Sequence, residues 1–466
     1  MTLAQRVLAG ERTLVDEETL LDFVQRQRWF GAKAEDVAHA TVLDTAVLRS
    51  EWPLLVTALT EIRFHPGTHQ TYQLLLGLRP QDQGWGEGVI AEAEGSIVYE
   101  ALADPELARE LVRLLGDEEA RPGGEGTVEF RVLNGAALDG LGPPRLAGVE
   151  QSNTSVVFGE DQILKAYRRL EAGVNPELEL LRFLTERGFE NIAALTGWYS
   201  YSGKPMDATL GVVQEYVPNA RDGWELALEE LGGDPEGFLA RLRRLGEVTG
   251  DLHTTLGSDP DDPDFCAEET SSEALALLTA TVDEEIESIF LDLPETEAVA
   301  PIAGRGQEVR DRLQERSHIG ATGHVIRHHG DYHLGQVLWD GDDWIVLDFE
   351  GEPARSLPER RRKRSALRDV AGMLRSFAYA ATAFEFRTGR PVPEGWEGRA
   401  RAEFLAGYFS TVERSLVPPS EEGRNRLLSV FELEKAVYEL RYELNNRPDW
   451  MRIPVAGILR LLESPL

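Results

Sequence analysis

The stretch HHGDYHLGQ, residues 328–336, sets His328, His329 and His333 around Asp331, with Gln336 closing the run. Two chemistries suit these residue types. Imidazole nitrogens can hold zinc, and zinc hydrolases place two histidines one helical turn apart around a glutamate base. Here Gly330 and Gly335 break any helix, and no glutamate lies between His329 and His333. The other chemistry makes Asp331 the reactive group, a general base for a hydroxyl, with the histidines as its supports.

The remaining motifs favour the aspartate. The order His329, Asp331, Gln336 follows the H-x-D-x₄-N spacing of a kinase catalytic loop, with glutamine in the asparagine place. Downstream, WIVLDFEGEP puts Asp348-Phe349-Glu350 where kinases carry Asp-Phe-Gly. Upstream, Lys165 lies in the strand-like QILKAY and Glu179 on the helix that follows, the lysine–glutamate pair that fixes nucleotide phosphates. Phosphoryl transfer asks for positioning and charge neutralisation more than for covalent help. Asp331 would accept the proton of the attacking hydroxyl, and Lys165 would neutralise phosphate oxygens. Gln336 and Asp348 would offer hard oxygen ligands to Mg²⁺ bridging the phosphates of ATP. The turn QSNTS, Gln151 with Ser152, Asn153, Thr154 and Ser155, would cover the phosphates with amides and hydroxyls. There is no G-x-G-x-x-G loop and no Walker sequence. His329 would hold the catalytic loop, and His333 would lie near the acceptor or the metal.

These residues need elements to hold them. Residues 1–90 read as an α+β unit: a helical EETLLDFVQRQRWF, then strand-like HATVLDTAVL and THQTYQLLLGLRP. QDQGWGEG (81–88) and GDEEARPGGEG (116–126) read as connections. Residues 91–217 are β-rich, with NTSVVFG and QILKAYRRL flanking Gly159-Glu160-Asp161 as a hairpin. NPELELLRFLTERG is punctuated as a helix by Asn175, Pro176 and Gly188. VPNARDG (217–223) reads as a linker, and residues 218–466 as mostly helical with one β interruption at 325–353. VAGMLRSFAYAATAF (370–384) reads as a buried helix despite Arg375.

Composition sets limits on function. The chain has 466 residues, 42% hydrophobic and 8% aromatic, enough for several packed units. Net charge is −33, which argues against nucleic acid and anionic membranes as partners. No apolar run is long enough to span a bilayer, and the charged N-terminus lacks a signal-peptide centre, so a cytoplasmic protein is expected. Cys266 is the only cysteine, which excludes an intrachain disulfide and a thiolate metal site. Of the 48 lysines and arginines only five are lysines, at 33, 165, 204, 363 and 435. A high-salt host and a GC-rich genome both fit that bias.

HGDYHLGQ, DFEGEP and LRDVAGMLRSFAY together resemble bacterial maltokinases, relatives of the aminoglycoside phosphotransferases. The resemblance extends to RWFGAK (28–33) and to FELEKAVYELRYELNNRPDW (431–450), and so covers nearly the whole chain. It implies an α+β, bilobal protein-kinase-like fold with an N-terminal α+β cap, a small β-rich lobe and a mostly helical C-lobe. The activity implied is ATP-dependent phosphorylation of maltose to maltose 1-phosphate, feeding α-glucan synthesis and linked functionally to trehalose synthase. Carried over by motif, Asp331 is the base, Gln336 and Asp348 hold Mg²⁺, and Lys165 and Glu179 serve the phosphates. Gln214, Glu215, Tyr216 and Val217 form the hinge touching adenine. His333 and Glu350 fall on the sugar side.

The C-terminal helix has a reading of its own. Leu433, Val437, Leu440 and Leu444 form a core stripe, which leaves Lys435, Tyr438 and Tyr442 on the opposite face. That face is either solvated or a platform for a pyranose, and maltokinases bind maltose with this region. RRRKR (360–364) is either a solvated loop or a guide for phosphates or an anionic product. Asp369 either holds the catalytic loop or caps a helix, and Trp29 and Phe30 would brace the cap. The alternatives to maltokinase are a kinase for glucosamine or another small sugar and, in a different class, a non-catalytic nucleotide-binding scaffold.

Overall fold

The computed structural model describes residues 2–65, 67–148 and 152–463. Its chain divides into two compact units, one of Met1–Thr185 with Ala193–Pro218 and the other of Glu186–Ile192 with Asn219–Leu466.

The first unit begins with α1 (Leu3–Leu8) and α2 (Glu17–Arg26), followed by β1 (Val37–Arg49), β2 (Leu54–Phe64) and β3 (His69–Pro80). With β4 (Val89–Ala93) and β5 (Ser96–Glu100) these strands form an antiparallel sheet in the order β1-β2-β3-β5-β4. Asp16 starts α2 by accepting the Thr19 N–H at 2.9 Å. The apolar stripe of that helix (Leu20, Phe23, Val24) packs with Ile62, Phe64 and Tyr72 of the sheet. Trp29 and Phe30 of RWFGAK are buried there, with ring centroids 5.7 and 5.5 Å from that of Tyr72. Their role is structural.

α3 (Pro105–Gly116) leads to a second sheet. Its strands are β6 (Ala120–Pro122), β7 (Gly126–Val132), β8 (Pro144–Leu146), β9 (Asn153–Phe158) and β10 (Gln162–Tyr167). The two-residue β11 (Arg169–Leu170) pairs instead with β3, tying the two sheets together. After α4 (Pro176–Glu186) come β12 (Leu195–Gly203) and β13 (Asp207–Glu215), giving the order β6-β7-β12-β13-β10-β9-β8. The β9–β10 hairpin turns at Gly159, whose φ of 60° suits glycine.

The second unit is mostly helical. Its helices are α5 (Gly223–Gly232), α6 (Pro235–Leu256), α7 (Ser272–Leu291), α8 (Gly306–Ser317) and the short α9 (Leu357–Arg360). They continue as α10 (Leu367–Thr388), α11 (Trp396–Thr411), α12 (Glu421–Asn446) and α13 (Arg452–Glu463). Small strands interrupt them: β14 (Arg221–Asp222), β15 (Glu268–Glu269), β16 (His324–Ile326), β17 (Val337–Trp339), β18 (Trp344–Val346) and β19 (Arg364–Ser365). The expected linker therefore contains a strand, since β14 pairs with β17.

Two helices that position the site lie in close contact. A Cβ at Gly246 would fall 2.0 Å from the Phe404 carbonyl, so glycine lets α6 and α11 touch backbone to backbone. α10 is buried as its sequence suggests, and the Arg375 inside it pairs with Glu439 of α12 at 2.6 Å. A buried guanidinium needs such a partner. Among the described residues no helix is long and apolar enough to cross a membrane.

Candidate active site

In the first unit, β10 carries Lys165 and α4 carries its partner. The Lys165 ammonium, nearly buried, lies 2.9 Å from a carboxylate oxygen of Glu177, which also accepts the Tyr167 hydroxyl at 2.7 Å. Asn175 sets the phase of the helix by accepting the Glu177 N–H at 2.8 Å. The sequence pointed to Glu179 and did not single out Glu177; both are buried on α4. Two acids two residues apart in a first turn offer no signal that Glu177 would contact the lysine.

The expected turn QSNTS differs in form. Asn153, Thr154 and Ser155 lie within β9, paired with Tyr167, Ala166 and Lys165 of β10. Ladder pairing uses alternate amides that a turn would have freed, and the Thr154 hydroxyl accepts from Arg168 at 2.8 Å. Ser152 precedes the strand as a bend, and Gln151 lies outside the described residues. At the end of β13, Gln214 pairs with Ile163. The Glu215 N–H donates to the Ala194 carbonyl and the Tyr216 N–H to that of Asp161, each at 2.9 Å. Two hinge N–H groups are thus already committed; Val217 follows, half-buried.

In the second unit, one buried carboxylate organises the catalytic loop. Asp369, in the first turn of α10, accepts the N–H groups of His329 and Gly330 at 2.8 and 2.9 Å. His253 of α6 lies 3.2 Å from the same carboxylate and 3.1 Å from the Tyr408 hydroxyl of α11. Burial alone would push the Asp369 carboxyl up. The neighbouring His328 charge and the His253 hydrogen bond outweigh it and hold the group well below the usual carboxylate range. The loop-holding reading of Asp369 is therefore the one realised, and the N-cap position of the helix falls to Ala366.

His329 is a support. Its Nδ1 accepts the Asp331 N–H at 3.3 Å, and its Nε2 lies 2.8 Å from the Leu347 carbonyl, so the ring is fixed from both nitrogens. Asp331 is left half-buried at the loop tip. His333 Nε2 stands 3.9 Å from one of its oxygens and the Lys435 ammonium 3.8 Å from the other. Desolvation lowers the His333 pKa, with Asp331 working against it. Desolvation also opposes the charge on Lys435, but Asp331, Glu352 and Glu439 prevail and raise it.

The β17–β18 hairpin brings Gln336 back beside Asp348, whose carboxylate accepts the Gln336 amide at 3.1 Å. Asp348 has a φ of 60°, a left-handed backbone that costs a non-glycine residue about 1 kcal/mol or more. Such strain collects at functional positions. An amide and a carboxylate side by side are hard donors that fit Mg²⁺ once the amide presents its oxygen. Glu350 is held close by, its carbonyl accepting from Arg360 at 2.9 Å.

On α12 the core stripe is as expected, with Leu433, Val437 and Leu440 buried. The opposite face is not uniformly solvated. Tyr442 is 45% exposed, but Lys435 and Tyr438 are half-buried and line a cavity of about 320 Å³. Trp224, Tyr332 and Tyr379 line it too, with Glu439, Glu443 and Arg447 supplying polar groups. Trp224, Tyr379 and Glu443 carry no signal in the sequence, because α5, α10 and α12 meet there only in the folded chain.

Residues 23–104 match the maltokinase N-terminal cap domain, and residues 144–352 match the phosphotransferase enzyme family. A glucosamine kinase of Streptacidiphilus jiangxiensis is 26% identical over 330 residues, 68% of this chain and 73% of the relative. One of Mycolicibacterium smegmatis is 28% identical over 354 residues, 72% and 83% of the two chains. A solved glucosamine kinase in complex with glucosamine, ADP and inorganic phosphate superposes with a TM-score of 0.68 at 20% identity, covering 95% of this chain and 98% of that one. Another crystal form of a glucosamine kinase gives 0.70, also at 20% identity, with 95% and 99% covered. This chain therefore joins a maltokinase N-terminal cap domain to a domain of the phosphotransferase enzyme family, in an α+β protein-kinase-like fold with a sheet-rich part and a helical part.

Proposed function

We propose that the protein transfers the γ-phosphate of ATP to the anomeric hydroxyl of maltose, giving maltose 1-phosphate for α-glucan synthesis from trehalose-derived maltose. The observation that carries this reading is the aromatic cavity beside Asp331, bordered by Lys435 and the tyrosines of α12. Its volume of about 320 Å³ falls at the small end of the ~300–1,000 Å³ usual for ligand pockets. Tyrosine rings cover apolar sugar faces while polar side chains bond hydroxyls.

In this proposal Asp331 takes the proton of the attacking hydroxyl, His329 fixes the loop, and Lys435 and His333 hold the acceptor end. Lys165, kept in place by Glu177, neutralises phosphate oxygens. Gln336 and Asp348 would hold Mg²⁺, which supplies charge neutralisation across the phosphates when bound.

Glucosamine is the second reading, favoured by the names of the relatives. The charges around the cavity weigh against it. The Lys435 cation would repel an ammonium, while Glu439 is paired with Arg375 and Glu443 with Arg447. A panel of maltose, glucose and glucosamine with ATP and Mg²⁺, with ³¹P NMR locating the new phosphate, tests the proposal. Phosphate at C1 of maltose supports it; turnover only with glucosamine, or with none of the sugars, rejects it.

A further inference from the structure

A second cavity of the C-terminal unit, about 570 Å³, opens between α7, the segment 352–368 and α12. It adjoins the acceptor cavity, sharing Tyr332, Gly372, Lys435 and Tyr438 in its walls. Its other walls carry six cations, Arg355, Arg362, Lys363, Arg364, Arg368 and Arg441, among the carboxylates Glu285, Glu352, Glu359, Asp369 and Glu434. In a chain of net charge −33, six cations on one cavity call for a reason.

Most of these cations are answered within the protein. Arg355 pairs with Glu352 at 2.5 Å, Lys363 with Glu268 at 2.5 Å, and Arg368 with Glu434 at 2.7 Å. Arg441 stands 3.4 Å from Glu285. Arg364 is different. β19 fixes its backbone opposite Ile326 and its side chain is half-buried, yet among the described residues no carboxylate lies within 4 Å of its guanidinium. Burial and the like charges of Arg368 and Arg355 push it down to about 10, with the more distant Glu434 working against them. Exposed Arg362 likewise has no carboxylate partner among the described residues. A half-buried cation facing other cations is costly unless an anion completes it. A guanidinium fork suits the oxygens of a phosphate.

We infer that this cavity is a second ligand site, taking a sugar phosphate whose phosphate lies on Arg364 and Arg362 and whose ring reaches Tyr332 and Tyr438. Because those tyrosines also border the acceptor cavity, an occupant competes with the acceptor sugar. This last step rests on the acceptor reading above; binding itself does not.

Isothermal titration of the full chain, free of nucleotide, with α-glucose 1-phosphate, inorganic phosphate and glucose tests the site. Saturable binding of glucose 1-phosphate is expected, weakened by at least about tenfold in Arg364→Gln, as loss of a charge-assisted hydrogen bond implies. Arg362→Gln should weaken it several-fold. Both variants should keep kcat and acceptor KM within about twofold of the parent. Glucose 1-phosphate should inhibit competitively against whichever sugar the panel identifies, with a Ki raised in parallel.

No saturable binding up to roughly 10 mM, or equal binding by parent and both variants, overturns the site. Inorganic phosphate binding as tightly as glucose 1-phosphate overturns the sugar-phosphate assignment. Should Arg364→Gln fail to fold, judged by its thermal melt, Arg362→Gln carries the comparison. Binding is read without turnover, so its failure and a failure of the maltose reading are told apart.

Discussion

At the scale of single residues, Asp331 and His328 illustrate opposite uses of neighbouring positions. Asp331 is left accessible between Lys435 and His333, while its loop is pinned by Asp369. Asp331→Asn should lower turnover by about 10²–10⁴-fold, the usual worth of a general base, while ATP affinity by titration stays unchanged. Loss of less than tenfold would assign the proton elsewhere. His328 is buried, and desolvation lowers it to about 3 from an ordinary value near 6.5. Between those values the unfolded chain takes up a proton that the folded chain refuses. Stability is therefore undiminished by His328 above about pH 6.5 and declines on acidification, by about 1.4 kcal/mol per pH unit. Urea unfolding at pH 7 and pH 5 should show His328→Leu shrinking the difference by about 2 kcal/mol. Asp369 does not blur that window, because a depressed carboxyl costs stability only below its unfolded value near 3.9. An unchanged difference in the variant would place the proton uptake on other groups.

At the scale of elements, α12 carries the clearest prediction. Tyr438→Ala and Tyr442→Ala should each raise the maltose KM several-fold with kcat little changed, the pattern of lost ground-state binding, readable by initial-rate kinetics. Unchanged KM values would return that face to solvent. α12 also marks how far its sequence can be read. The period of Leu433, Val437 and Leu440 located the core stripe because burial of an apolar face leaves a 3.6-residue imprint. The same period could not tell that Lys435 faces Asp331, since that contact depends on where a loop 104 residues earlier is held. α4 behaves alike: Asn175, Pro176 and Gly188 marked its ends, but the contact of Glu177 with Lys165 needed the position of β10. QSNTS carried two readings, a turn over the phosphates and, from Asn153 on, the first strand of a hairpin. Asn153–Ser155 extend that strand because β10 is there to pair with them.

At the scale of the whole molecule, a net charge of −33 is a destabilising self-repulsion that salt screens. Raising ionic strength from about 0.01 to about 1 M shortens the Debye length from ~30 to ~3 Å. The melting temperature followed by circular dichroism should rise over that range, most steeply at its lower end. A fall would mean that exposed ion pairs outweigh the repulsion. The path of the chain has a separate consequence. Residues 186–192 belong to the C-terminal unit, where Asn191 bonds the Trp344 carbonyl at 2.7 Å and the Val346 N–H bonds the Asn191 carbonyl at 2.9 Å. These partners are separated by 153 residues or more. On a ribosome adding about 5–20 residues per second, Asn191 waits roughly 8–30 s for Trp344 to be made. The first unit, interrupted by that waiting segment, can settle its sheets early, but the loop between α4 and β12 is the last part of the N-terminal half to find its place.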